Sequence, residues 1–272
     1  MYVKPKKALG QHFLKDNAIA RSIVEALCNA PIPDAYRFEG PVPVLEVGPG
    51  TGVLTQFLLE KTEIDLRAIE IDREAIDYLL VHYPALNGRL LQADFLKIAL
   101  PSLFASPFLI IGNFPYHISS QIFFKILEER DRVPVVVGMV QKEVAERIAA
   151  PSGSKTYGIL SVLLQTWYHI EYLFTVSERV FFPPPKVKSA VIRLTRNTTT
   201  ALPCSESLFK QVVKATFNQR RKTIRNSIKQ ITKAAPLLDH PLLALRPEQL
   251  SVAQFIELTI AAYPAAGKSP PI

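Results

Sequence analysis

Four apolar runs in the first 115 residues each stop at a glycine or at a residue with a carboxylate or amide side chain, and this regularity restricts the fold more than any other feature. Residues 44–47 (Val-Leu-Glu-Val) run into Gly48, residues 66–69 end at Glu70, residues 90–93 at Asp94, and residues 108–111 lead through Gly112 to Asn113. Segments with helical spacing lie between them: residues 53–61, a stretch from Arg73, and, after the fourth run, residues 119–127. Strands joined by helical crossovers pair in parallel, so their carboxyl ends fall along one edge of a sheet, where open α/β sheets bind ligands. The expected class is α/β, with Gly48, Glu70, Asp94 and Asn113 converging on one site.

Each of these endings suits a definite chemical task. Gly48-Pro49-Gly50-Thr51-Gly52 between a strand and a helix lets a ligand approach backbone N–H groups. Its Gly-x-Gly-x-Gly spacing differs from the dinucleotide fingerprint and favours a ligand without pyrophosphate. Glu70 lies about 20 residues further on, where a carboxylate accepts both hydroxyls of a ribose. Asp94 is suited either to accept from an adenine amino group or to cap a helix N-terminus. In Asn113-Phe114-Pro115-Tyr116, the Asn113 side-chain oxygen and the Phe114 carbonyl can accept both protons of an adenine amino group, localising the nitrogen lone pair. Pro115 stiffens the turn, and Tyr116 offers an aromatic face to the base.

The remainder of the chain points to a polyanionic partner. The net charge is +8. Acids outnumber bases from Arg37 to Lys97, whereas Lys4, Lys6 and Lys7, the stretch from Arg179 to Arg196 and that from Arg220 to Lys233 are basic, a distribution that suits nucleic acid. Lys4 to Lys7 is expected to be a mobile arm. Asp16 is expected to cap an amphipathic helix carrying Ile19, Ile23, Val24 and Leu27. Ser152-Gly153-Ser154 reads as a flexible loop, residues 159–168 as a helix and 172–176 as a strand. The run Phe181-Phe182-Pro183-Pro184-Pro185-Lys186 reads as a rigid exposed loop able to present Phe181 as a second wall for a base opposite Tyr116, or as a Pro-rich loop with a packed Phe. Residues 197–203 read as a linker to a helical second domain, in which Arg221, Arg225, Lys229 and Lys233 recur every fourth residue as one basic face. Cys28 and Cys204 and the five scattered histidines have no metal-ligand spacing. With no apolar signal region and no membrane-length apolar run, a soluble intracellular protein is expected.

Taken together, Gln11-His12-Phe13-Leu14, Glu46 to Gly52, Glu70-Ile71-Asp72, Asp94, Asn113 to Tyr116, Phe181 to Ser189, Phe217 to Thr223 and Arg246 to Leu250 resemble the ribosomal RNA adenine dimethyltransferases, nearest to the bacterial small-subunit branch. The resemblance implies a Rossmann-like methyltransferase domain over residues 1–198 and a small all-helical RNA-binding domain over 199–272. It implies S-adenosyl-L-methionine as donor, contacted by His12, Leu14, Gly48, Gly50, Glu70, Asp94 and Asn113, with no metal. It further implies a target adenine held by Asn113, Phe114, Pro115, Tyr116 and Phe181, and RNA contacts from Lys186, Arg220, Arg221, Lys222 and Arg225. The implied activity is dimethylation of two adjacent adenosines in the 3′-terminal hairpin loop of 16S rRNA within the 30S particle, by a cytoplasmic monomer contributing to subunit biogenesis. Transfer would be direct, from sulfonium to amine, without a covalent intermediate. The chain departs from the usual pattern at His12, where Asn is frequent, at Phe114, where Leu is frequent, and at Lys188, where Asp or Asn is common; the Phe114 side chain is expected to be neutral because its backbone does the work.

Overall fold

Val44, Leu45 and Val47 are buried on both faces of a sheet, as a short β-branched run bounded by turn residues should be. They belong to β2 (Val42–Val47), an interior strand of a seven-stranded sheet. The computed structural model describes residues 3–229, 231 and 240–263. The order is β4-β3-β2-β5-β6-β9-β7, with β3 (Ile64–Glu70), β4 (Leu90–Gln92), β5 (Leu109–Asn113), β6 (Val135–Gln141), β7 (Tyr168–Val176) and β9 (Ser189–Arg196). The strands from β4 to β6 pair in parallel, while β9 runs antiparallel between β6 and β7. From β2 the chain goes to β3 on one side and reaches β5 on the other. This reversal opens a crevice beyond the carboxyl end of β2, the place where an open sheet takes a ligand.

The helices that cover the sheet are α1 (Asn17–Cys28), α2 (Thr55–Leu59), α3 (Arg73–His82) and α4 (Ser119–Glu128). Asp16 caps α1 by accepting from Ala18 and Ile19 N–H, and Ala20, Ile23, Val24 and Leu27 are buried. Apolar burial of this kind contributes roughly 1.5–3 kcal/mol per large side chain. The α/β class read from the four strand endings is the one observed. Strand β7 begins at Tyr168, where the sequence suggests helix. The aromatic ring is buried there, its hydroxyl donates to the Val133 carbonyl at 3.0 Å, and Tyr168 pairs with Arg196. A separate two-stranded antiparallel ribbon joins β1 (Phe13–Leu14) to β8 (Phe181–Phe182).

The chain divides into two compact units. One comprises Met1–Ala145 and Tyr168–Asn197; the other comprises Glu146–Trp167 and Thr198–Ile272. Helix α5 (Lys142–Ala149) carries the chain from the first to the second. The second unit contains α6 (Ile159–Gln165), α7 (Glu206–Asn218), α8 (Ile224–Ile228) and α9 (Val252–Ala262). Phe217 links its core, with ring centroids 6.1 Å from Tyr157 and 5.7 Å from Phe255.

The single basic helix face expected after residue 217 does not form. Helix α7 ends at Asn218 and α8 starts at Ile224, so Arg221 and Lys222 occupy the intervening turn while Arg225 lies on α8. Lys233 and the tail from Pro264 lie outside the described residues.

Candidate active site

Strand β2 delivers the chain to a turn in which Gly48, Gly50 and Gly52 all adopt left-handed φ angles. At Gly50 (φ +58°) a side chain is excluded twice, by conformation and because a Cβ would lie 2.9 Å from the Phe13 ring. The Glu70 carboxylate at the end of β3 ties this turn to its neighbour. Oε2 accepts the Gly50 N–H at 3.0 Å, and Oε1 accepts the Ile71 and Asp72 N–H groups at 2.8 and 2.9 Å. Burial pushes the Glu70 carboxyl upward, and these backbone donors oppose that shift. Asp94, beyond β4, accepts from Leu96 N–H at 2.9 Å in a turn rather than at a helix N-terminus, and it lines the cavity.

Glu46, inside β2, is fully buried and pushed up to about 8 by desolvation, even though the Thr55 hydroxyl donates to it at 2.6 Å. A proton held in the native state and released on unfolding makes stability fall as pH rises from the ordinary glutamate value near 4.5 towards 8. Glu46→Gln should remove that slope, which amounts to roughly 1.4 kcal/mol for every pH step between those two values. Its thermal midpoint relative to the parent should therefore rise progressively from about pH 5 to about pH 8; melting curves of both proteins across that range check it.

The opposite wall of the cavity is the turn after β5. Asn113 Nδ2 donates to the His12 carbonyl at 3.0 Å, which leaves Oδ1 as an acceptor. Phe114 N–H donates to the Met139 carbonyl at 3.0 Å. Its ring is wholly buried against Gly112 and Gly138, which face each other across β5 and β6; a Cβ on either would approach the ring to 2.8 or 2.5 Å. The Phe114 side chain is thus packed beneath the turn, in addition to what its backbone contributes. Tyr116 shares a 2.5 Å hydrogen bond with Ser189 Oγ and stacks on His12, with centroids 5.5 Å apart and planes 23° from parallel. Burial raises the Tyr116 hydroxyl pKa, partly offset by Ser189. The ring of His12 is fixed from its other side, with Nδ1 2.7 Å from the Pro183 carbonyl. Between these walls lies a cavity of about 220 Å³, lined also by residues 9–14, by Gly48 and Gly50, and by Pro115.

Phe181 is the expectation the structure corrects most directly. It is only 1% exposed, packs in the main core with Leu14, and does not line the cavity. Pairing of Leu14 with Phe181 and of Phe13 with Phe182 sets the alternation of the ribbon, so Phe182 is the outward residue at 45% exposure.

The sequence profile described as ribosomal RNA adenine dimethylase matches residues 3–249. The chain belongs to this family. It is 59% identical to a ribosomal RNA small subunit methyltransferase A of Parabacteroides distasonis, over 95% of this chain and 94% of that one, and 60% identical to its namesake in Bacteroides thetaiotaomicron, over 94% and 93%. Among solved structures it is similar to a dimethyladenosine transferase from Plasmodium falciparum (TM-score 0.72, 25% identity, 91% of this chain and 96% of that one) and to the 23S rRNA methyltransferase ErmE (0.65, 26%, 90% and 98%).

Lys186, Arg221, Lys222 and Arg225 are exposed. Arg220 is committed inside its own unit: it donates to the Ser154 and Lys155 carbonyls and approaches Glu248 at 3.8 Å. Gly153 N–H adds a 2.6 Å bond to the Glu248 carbonyl, so the segment read as a flexible loop is anchored. The supposed mobile arm is also fixed, since Val3 is buried and Lys6 pairs with Asp72. Sequence reasoning overlooked the support given by Gly138 and Ser189. An isolated glycine within the β-forming run 135–140 was the available signal of a close approach. Among the described residues no group of His, Cys, Asp and Glu is placed to hold a metal ion, and no helix is long and apolar enough to cross a membrane.

Proposed function

We propose that this chain dimethylates the N6 amino groups of two adjacent adenosines in the 3′-terminal hairpin loop of 16S rRNA, acting in the cytoplasm as a monomer on the 30S particle. The observation that carries this reading is the convergence, on one cavity, of a glycine and carboxylate cradle with the Asn113 to Tyr116 turn. The small-subunit names of relatives near 60% identity support the choice of 16S over 23S rRNA.

The cradle fits S-adenosyl-L-methionine. Gly50 leaves room for close approach, the Glu70 carboxylate suits ribose hydroxyls, and Asp94 suits the adenine amino group. Gly48 contributes backbone, while His12 and Leu14 supply the facing strap. When bound there, the sulfonium supplies an activated methyl group. The residues of the chain prepare the amine: Asn113 Oδ1 and the Phe114 carbonyl accept hydrogen bonds from its N–H groups, the nitrogen attacks the sulfonium methyl as the S–C bond breaks and then gives one proton to solvent, Pro115 fixes the turn, and Tyr116, already stacked on His12, offers its other face to the base. Lys186, Arg221, Lys222 and Arg225 supply phosphate contacts, and Arg220 acts by holding the loop around Lys155.

The test is transfer of labelled methyl groups to unmethylated 30S particles and to protein-free 23S rRNA, followed by mapping. Two dimethylated neighbouring adenosines in the 16S hairpin are expected; modification of 23S rRNA alone would refute the assignment. The exposure of Phe182 supports a role for it, rather than for Phe181, in stacking on a flanking base. Phe182→Ala should weaken productive binding of 30S particles about tenfold, within the roughly 1–3 kcal/mol of a base stack. Phe181→Ala should instead cost about 3–5 kcal/mol of stability. KM for the particle and denaturant midpoints separate the two.

A further inference from the structure

The strap formed by residues 9–14 is held from both sides. On the side of the Asn113 turn, His12 receives the Asn113 amide and stacks on Tyr116, while Gly10, at φ +61°, lies so close to His117 that a Cβ would fall 2.6 Å from its ring. On the side of Glu70 the strap is tied by charge. Lys6 Nζ lies 2.5 Å from Asp72 Oδ1 and 3.1 Å from Glu74, and Gln11 Nε2 donates to Asp72 Oδ2 at 3.0 Å. Lys6 N–H in turn donates to Gln11 Oε1 at 2.8 Å, which closes the ring of contacts.

Asp72 caps α3 by accepting from Glu74 N–H at 3.1 Å, and that alone would account for an aspartate here. Capping requires only one acceptor oxygen, whereas both Asp72 oxygens are engaged, and its side chain is fully buried. A carboxylate removed from water must be paired, and Lys6 and Gln11 do the pairing. Burial pushes the Asp72 carboxyl upward, but Lys6 and Gln11 prevail and hold it below its ordinary value. The Asp72 N–H also donates to the Glu70 carboxylate, so one turn carries both the group assigned to the ribose and the clasp on the strap.

We infer that Asp72 is a positioning residue for the methyl donor: through Lys6 and Gln11 it clamps the strap over the Glu70 side of the cavity and slows the donor's departure. The inference rests on the donor site proposed above. The test uses the full chain, with S-adenosylhomocysteine as probe, measuring affinity and dissociation rate for the parent, Lys6→Met, Lys6→Arg and Asp72→Ser. Serine keeps a helix cap but cannot form the ion pair.

Lys6→Met and Asp72→Ser should each raise Kd about 5- to 30-fold, chiefly through faster release, with Lys6→Arg close to the parent. Raising salt from about 50 to about 500 mM should weaken binding by the parent, and Lys6→Met should lose most of that dependence. The maximal methylation rate at saturating donor should change little. Parental affinity and salt response in Lys6→Met would overturn the clasp and leave Asp72 as a cap only. Failure of the parent to bind the probe would overturn the donor site itself, and the clasp with it.

Discussion

Asn113→Ala should lower the maximal rate of methyl transfer by on the order of 10²- to 10³-fold, the scale seen when one preorganised polar partner of a reacting group is removed. The side chain does two things at once. Oδ1 is left to accept an amine proton because Nδ2 is occupied by the His12 carbonyl, an arrangement that also settles which way the amide points. Alanine removes the acceptor at the reacting nitrogen, while the strap keeps its other fastenings at Lys6 and Gln11. Affinity for S-adenosylhomocysteine should therefore fall only a few-fold. Single-turnover transfer to 30S particles, with donor affinity measured alongside, checks the split; near-parental transfer would remove Asn113 from the chemistry.

Gly138→Ala should be nearly as damaging from outside the cavity. Its Cβ would arrive 2.5 Å from the Phe114 ring, which is hemmed in by Gly112 on the adjacent strand and by Phe123, packed edge-on with ring centroids 5.8 Å apart. Overpacking of this kind costs about 1–3 kcal/mol, or roughly 3–10 °C in thermal midpoint for a unit of this size. Transfer should fall further than stability does, since the ring that must move is attached to the carbonyl proposed to hold the amine. Phe114→Leu in the same chain should recover much of both losses, because a smaller side chain leaves room for the added methyl. Thermal melts and transfer rates of the two single variants and the double variant form the required cycle.

The α/β sheet and the convergence of Gly48, Glu70, Asp94 and Asn113 were legible because they depend on local rules, an apolar run followed by a turn residue, repeated four times. Phe181 and Phe182 were not distinguishable by such rules. A two-residue strand has no periodicity of its own, and which aromatic turns inward is decided by Leu14, more than 160 residues earlier in the chain. Arg220 failed for a related reason, since a cation bound to carbonyls of its own unit reads in sequence like one awaiting phosphate. The clasp was hidden because Asp72 satisfies an ordinary capping rule, which conceals its further partners. The basic stripe was overcalled because fourfold spacing marks a helix face only where the helix continues, and here a turn interrupts it at residues 219–223.

The reversed direction of β9 has a consequence for when the enzyme becomes competent. Because this strand runs against β6, it begins where β6 ends, with Ser189 opposite Gln141, at the same margin as the Asn113 turn. Tyr116 thus finds its hydroxyl partner in a residue synthesised 73 positions later. A chain emerging from the ribosome has every residue of the glycine cradle long before it has the rim that steadies Tyr116, so an N-terminal fragment ending before β9 should retain donor-binding parts without a finished place for the base. The rim that steadies Tyr116 is therefore complete only once about 70% of the polypeptide has been made.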